Sequence, residues 1–191
     1  TLSLTNSTIA TVGAGDDGGG IYNEDGTVTL VHSTIAHAGA SYGGGIYSSG
    51  SAAEVYVSDS LFKRNGAGTN GGHFLISGGL LSVQNSLLVG GSAANGGGMF
   101  NDGGNVTIIG STLMQGYVGD IGGCIYNTNS GTVSISYTTL RDGYAPNGGG
   151  GIANDLGSTL YLFSSLIYQI GAGGMGGGIL NVGTMIVETS T

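Results

Sequence analysis

Three stretches of the chain have the glycine spacing that can cradle a dinucleotide pyrophosphate: Gly13/Gly15/Gly18, Gly66/Gly68/Gly71 and Gly171/Gly173/Gly176. That chemistry needs a strand before the loop and, after it, a helix whose N-terminus faces the phosphates. Each of these loops runs instead into residues that read as strand. The glycines are therefore expected to serve positive-φ turns and close stacking. Asp16, Asp17, Glu24 and Asp25 gather four carboxylates in a short stretch. Calcium needs six to eight oxygens at one point, whereas a strand of about five or six residues holds the two pairs roughly 15–20 Å apart. They read as a solvated acidic end, with ion binding left open.

Cleavage of a polysaccharide needs clustered carboxylates with a base or cation in one groove. The only basic residues are Lys63, Arg64 and Arg141. Asp59 with Arg64, and Asp142 with Arg141, read as surface ion pairs of little energetic weight. His32 and His37 lie near each other and His73 lies apart, none with a carboxylate in register. No catalytic set assembles, so the chain is expected not to be an enzyme and to need no cofactor. The single cysteine, Cys124, excludes an internal disulfide and a cysteine zinc site, and is expected to be a buried small residue.

Composition narrows the choice further. Of 191 residues 43 are glycine, only 7% are charged, and the net charge is −8. With three cations there is no basic surface to neutralise phosphates, which excludes nucleic-acid binding. An apolar fraction of 39% with so little charge is the reverse of a disordered composition, so the chain should fold. The longest apolar stretch, Leu160 to Ile170, is interrupted by Ser164 and Ser165 and is far short of the roughly 18 residues a membrane span needs. No membrane insertion is expected. Without an initiator Met or leader, the chain is expected to be a processed protein or a segment of a longer one.

The elements that position these residues repeat. Gly-Gly-Gly-Ile-Tyr-Asn at 18–23 returns six times, and its fourth position, Ile21, Ile46, Phe74, Met99, Ile125, Ile152 and Ile179, recurs every 25 to 28 residues. Between the copies lies a second string, Thr27 to Ile35, whose alternate positions form apolar columns. One column begins Leu2, Val28, Val55 and ends at Met185; the next begins Leu4, Leu30, Val57 and ends at Val187; a third begins Ile9, Ile35, Phe62. The residues between are mostly Ser, Thr or Tyr, and a period of two means strands with one buried face. A small residue, Ala14, Ala40, Ala67 and equivalents, marks an inward corner. A unit of about 26 residues with two or three short strands cannot bury its own apolar face, but stacked units can. The expected fold is all-β: a single right-handed parallel β-helix of about seven coils over residues 1–191, without an internal boundary.

Three further columns belong to this wall. Asn23, Asn101, Asn127, Asn154 and Asn181 align as an amide ladder able to donate and accept along the axis. Ser7, Ser33, Ser60, Ser86, Ser111, Thr138, Ser165 and Ser190 align as a hydroxyl ladder. Tyr22, Tyr47, Leu75, Phe100, Tyr126 and Leu180, with Ala153, follow the inward Ile21 column by one residue and should face outward. The adjacent turns look too short to cover this stripe, so it is expected to be a lateral contact surface. A flat threonine face for ice binding is interrupted by Glu54, Tyr56 and Tyr161.

The Gly-Gly-[Gly/Ala]-Ile-x-Asn repeat, with Asn-Ser-Thr-Ile-like strings between, resembles the repeats of bacterial surface β-helix proteins, notably the polymorphic outer membrane proteins and autotransporter passengers. The resemblance spans essentially the whole chain and departs at Gly71 to Ile76 and at Ser48. It implies a secreted or cell-surface structural or adhesive rod, and brings no catalytic residue. Open ends of such a rod are sticky. The expected function is an extracellular structural subunit that stacks on itself head to tail through Leu2, Leu4, Met185 and Val187 into a fibre or sheath. The alternative is an adhesin passenger binding a glycan or a host surface. A polysaccharide-acting enzyme or an ice-binding protein stand behind these.

Overall fold

The computed structural model describes all 191 residues; it contains 28 strands and no helix. Four sheets run along the molecule. Sheet A has eight strands, from Leu2–Thr5 to Thr184–Glu188, and sheet B seven, from Thr8–Ala10 to Leu166–Tyr168. Sheet C has six, from Gly39–Tyr42 to Gly171–Ala172, and sheet D seven, from Ile21–Glu24 to Ile179–Asn181. The chain visits A, B, C and D in turn, and each circuit lays one rung parallel to the last. The result is a parallel β-solenoid of about seven turns.

The apolar columns are the reason for the stack. Leu2 pairs with Val28 and Leu4 with Leu30, and the same register continues to Leu160 with Met185 and Leu162 with Val187. Ile9 over Ile35 in sheet B and Ile21 over Ile46 in sheet D behave likewise. Away from the ends these side chains are essentially fully buried and form one continuous core. Where both sheet B and sheet D carry a phenylalanine, Phe62 and Phe74 meet with ring centroids 4.4 Å apart. Each such side chain is worth about 1.5–3 kcal/mol of burial, and only the rungs above and below provide the cover.

The corners are set by left-handed residues. Between A and B stand Asn6, His32, Asp59, Asn85, Tyr137, Ser164 and Thr189, with φ of 46 to 52°. Between B and C stand Thr11, His37, Arg64, Gln115, Asp142 and Gln169, with φ of 51 to 56°. After each A–B corner the backbone N–H of the hydroxyl residue donates to the hydroxyl of the next rung. The chain of bonds runs without a gap from Ser7 through Ser33, Ser60, Ser86, Ser111, Thr138 and Ser165 to Ser190. Each hydroxyl in turn donates to the carbonyl two residues earlier, as Ser60 does to Ser58 at 2.7 Å.

Six coils have four strand segments rather than two or three; the first lacks the sheet C strand. Sheet C occupies the glycine-rich corner that carries the Ala40 column, where Ala40 pairs with Ala67 and Ala145 with Ala172. Ladder bonds use the backbone alone, so a segment with almost no side chains still stacks. The loop holding sheet C is pinched at its base: a Cβ on Gly44 would lie 2.2 Å from the Gly66 carbonyl oxygen, and one on Gly123 2.1 Å from that of Gly150. Leu160 to Ile170 falls into strands Thr159–Phe163 and Leu166–Tyr168. No helix is long and apolar enough to cross a membrane.

Gly123→Ala should therefore cost about 2 kcal/mol or more, because backbone is what its methyl would strike. Gly15→Ala, with nothing within 4 Å of the added carbon, should stay within about 0.5 kcal/mol. Chemical denaturation of the two variants checks the contrast, and equal midpoints would contradict the pinch.

Candidate functional site

The outward column of sheet D is the candidate surface. Tyr22 pairs in register with Tyr47, Tyr47 with Leu75, Leu75 with Phe100, and Phe100 with Tyr126. The column continues through Ala153 to Leu180. Rings meet edge-on, with Tyr22 and Tyr47 at 5.4 Å and Phe100 and Tyr126 at 5.1 Å. The stripe is not open along its length: Tyr22 is 48% exposed, whereas Leu75 and Phe100 are buried at 5% and 8%. The turn that enters each strand runs close against it all along the column, at exposed Tyr22 as at buried Phe100: a Cβ on Gly18 would stand 2.8 Å from Tyr22 Cα and one on Gly96 3.0 Å from Phe100 Cα. A Cβ on Gly43 would stand 2.7 Å from Tyr47 Cβ, and one on Gly122 2.7 Å from Tyr126 Cβ. What stays accessible is Tyr22 with Tyr47 towards the first rung, and Tyr126 with Leu180 towards the last.

Carboxylates rim this column. Burial raises the Tyr47 phenol above its ordinary pKa, and Asp17, Tyr22 and Asp102 add to the rise. Tyr126 is raised chiefly by burial, and its hydroxyl donates to Asp155 at 3.1 Å. Asp155 is held below the usual carboxylate range, first by the Leu156 N–H and then by Tyr126 and Thr128. In the first coil Glu24 lies on sheet D and Asp25 follows it, accepting the Ala52 N–H, while Asp16 and Asp17 lie before the glycine turn. No three His, Cys, Asp or Glu side chains anywhere come together as a metal-holding group.

The ladder asparagines face inward and are joined amide to amide. Asn101 donates to Asn127 at 2.8 Å, Asn127 to Asn154 at 2.8 Å, and Asn154 to Asn181 at 2.7 Å, while Asn23 donates to Ser48. Each also bonds a carbonyl in the turn that follows, as Asn101 does to Gly104. Ile76 breaks the series, and the buried Asn101 Oδ1 facing that break has no partner.

The residues expected to carry polar chemistry are dispersed. Arg141 pairs with Asp142, its neighbour in sequence. Asp59 and Arg64 do not pair, because they occupy opposite corners of strand Leu61–Lys63. His32 and His37 bracket strand Thr34–Ala36 in the same way. Cys124 is buried, and burial pushes its thiol up to about 12. Outside the A–B corner lies a shallow open groove of about 620 Å³, lined by His32, Asp59, Asn85 and neighbours. The three glycine spacings all fall on the sheet C loop and are followed by strands of sheet D.

The repeat columns do not single out Asn65 and His73. Asn65 is fully buried; its Oδ1 accepts the Ala38 N–H and its Nδ2 donates to the Ile35 carbonyl. The signal available was Phe62-x-x-Asn65, which sets an amide just inside the B–C corner. His73 stands in a column otherwise held by glycine and Cys124 and lies 3.2 Å from Asn65 Nδ2 through its Nδ1. Its Nε2 is buried without a partner.

No known protein family matches the chain, and neither a curated protein nor a solved structure matches it. The repeat architecture therefore rests on the fold itself.

Burial lowers the His73 pKa from 6.5 to about 3. Between those values the unfolded chain binds a proton that the folded chain refuses, so stability falls as the pH drops, by up to about 1.4 kcal/mol per pH unit. Thermal melts at pH 6.5 and pH 4.5 should show this loss in the native chain, and a smaller loss in His73→Gln. An unchanged acid dependence in the variant would remove His73 as its source.

Proposed function

We propose that the protein is a non-enzymatic extracellular or cell-surface structural rod that associates with itself end to end. The observation that supports this reading is the register-locked stack itself: every rung is covered by an equivalent rung, so a rung of this chain offers the surface that a rung of a second copy can cover. Strand Leu2–Thr5 has a sheet neighbour on one side only, and so has Thr184–Glu188. Leu2, Met185 and Val187 are 39%, 38% and 45% exposed, while their column mates inside the stack are buried. Leu4 is half-buried beside Leu2. The same apolar pair occurs on both strands, so Thr184–Glu188 of one copy offers the kind of surface that Leu2–Thr5 of another covers in its own fold. Ser190 N–H likewise would meet Ser7 Oγ, extending the hydroxyl ladder. Scarce charge opposes such stacking little. The repeat motif's likeness to polymorphic outer membrane protein and autotransporter passengers agrees with a rod displayed outside the cell.

The junction has one geometric constraint. Sheet A has eight strands where B and D have seven, so Leu2–Thr5 seated on Thr184–Glu188 leaves B and D a rung short. Removing residues 184–191 lets the sheet A, B and D strands of a second copy follow their own sheets directly, with Leu160 and Leu162 taking the place of Met185 and Val187 as the covered pair. Electron microscopy should show longer particles for that shortened chain than for the native one. Leu4→Lys with Val187→Lys should shorten them, and rods of one coil-set length under every condition would overturn end-on stacking.

A glycan-binding adhesin is the second reading, and the sheet C face favours it. Tyr117 and Tyr144 pair in register there and are 55% and 44% exposed, with Gln115 and Asp142 two residues before them. Aromatic faces beside planar polar groups suit sugar rings. Glycan-array binding lost in Tyr117→Ala with Tyr144→Ala would support this reading, and undiminished binding would exclude this face.

A further inference from the structure

Charge is scarce in this molecule, and its cations lie together on one side, where Asp59 and Asp142 flank the same sheet. All three cations lie on or beside the outer face of sheet B: Lys63 and Arg141 on its strands, Arg64 at its corner. Lys63 and Arg64 are exposed, and neither forms an ion pair within the chain. Around sheet D lie Asp17, Glu24, Asp25, Asp102 and Asp155, also without a cation partner.

The spacing on the two faces is the same. Lys63 and Arg141 share one outward column of sheet B, connected through Val89 and Met114, and so stand three rungs apart. Glu24 and Asp102 share one outward column of sheet D, connected through Ser49 and Ser77, and also stand three rungs apart. Three rungs are about 14 Å in each case. Two residues before each carboxylate on the same face stands an aromatic ring, Tyr22 before Glu24 and Phe100 before Asp102.

We infer that the outer face of sheet B docks on the outer face of sheet D of a second copy, with Lys63 against Glu24 and Arg141 against Asp102. Lys63 lies on the third rung and Glu24 on the first; Arg141 lies on the sixth and Asp102 on the fourth. Both pairs therefore close at one displacement of two rungs, about 10 Å, with the two axes parallel. Lys63 and Arg64 would also approach Tyr22, where a cation over an aromatic face is favourable. Leu61 and Leu87, partly exposed on sheet B, supply apolar area beside the charges. The contact joins two different faces, so it repeats from copy to copy. It rests on the Tyr22 stripe as a lateral surface and does not require end-on growth.

Sedimentation velocity of the full chain at about 0.01 M and about 1 M salt is the first test, because screening should dissolve a charge-matched contact. Lys63→Glu alone and Glu24→Lys alone should each weaken lateral association about tenfold or more. The chain carrying both substitutions should regain it to within about threefold. Neither side chain makes a hydrogen bond or ion pair in the fold, and far-UV circular dichroism verifies that each variant is folded. Salt-independent association, a single reversal without effect, or failure of the double reversal to restore it would overturn the inference. Particle width in electron microscopy reports this contact and particle length reports end-on stacking, so the two fail separately.

Discussion

Parallel backbone pairing between successive rungs, held in strict register, is the constraint on which the rest of the structure depends. A single rung buries almost nothing by itself, so the apolar side chain of one rung needs its equivalent above and below. That requirement explains why Val28, Val55 and Leu81 must be alike, and why a slip of one residue would turn the core outward. It applies to polar groups as well. A buried amide or hydroxyl is tolerated when it recurs in every coil, because each copy then satisfies the next. Where the recurrence stops, at Ile76, an acceptor on Asn101 is left orphaned.

Corners place the charged and aromatic groups. A left-handed residue directs its side chain away from the stack, so His32, Asp59 and Arg64 line the outer edges of sheet B. The few ions of the chain are thereby kept off the core and apart from one another; only Arg141 and Asp142, adjacent in sequence, pair. The same rule keeps Lys63, Arg64 and Arg141 on the sheet B side, with the core between them and the carboxylates that rim sheet D.

Much of the fold was legible because strand periodicity and coil periodicity reinforce each other. The four apolar columns and both ladders can be aligned by eye, and the structure pairs Ile35 with Phe62 and Ser33 with Ser60 on that alignment. Sheet C was not legible, since glycine-rich segments carry no alternation to read even where their backbone pairs. The burial of Leu75 and Phe100 was not legible either, since alternation gives the face on which a residue lies and not its accessibility. Asp59 and Arg64 looked like partners because five residues in a helix or loop are close, whereas here a straight strand holds them apart. His73 escaped because it replaces a glycine in one coil only, and a column argument discounts its exceptions.

The hydroxyl ladder also gives the rod a direction. Every link runs the same way, from an amide hydrogen near the amino end to an oxygen one storey further on. Along the column each oxygen accepts from the rung before it and each amide hydrogen points to the rung after it. Like an arrow, the column points one way along the axis, so the two directions along the rod are chemically unlike.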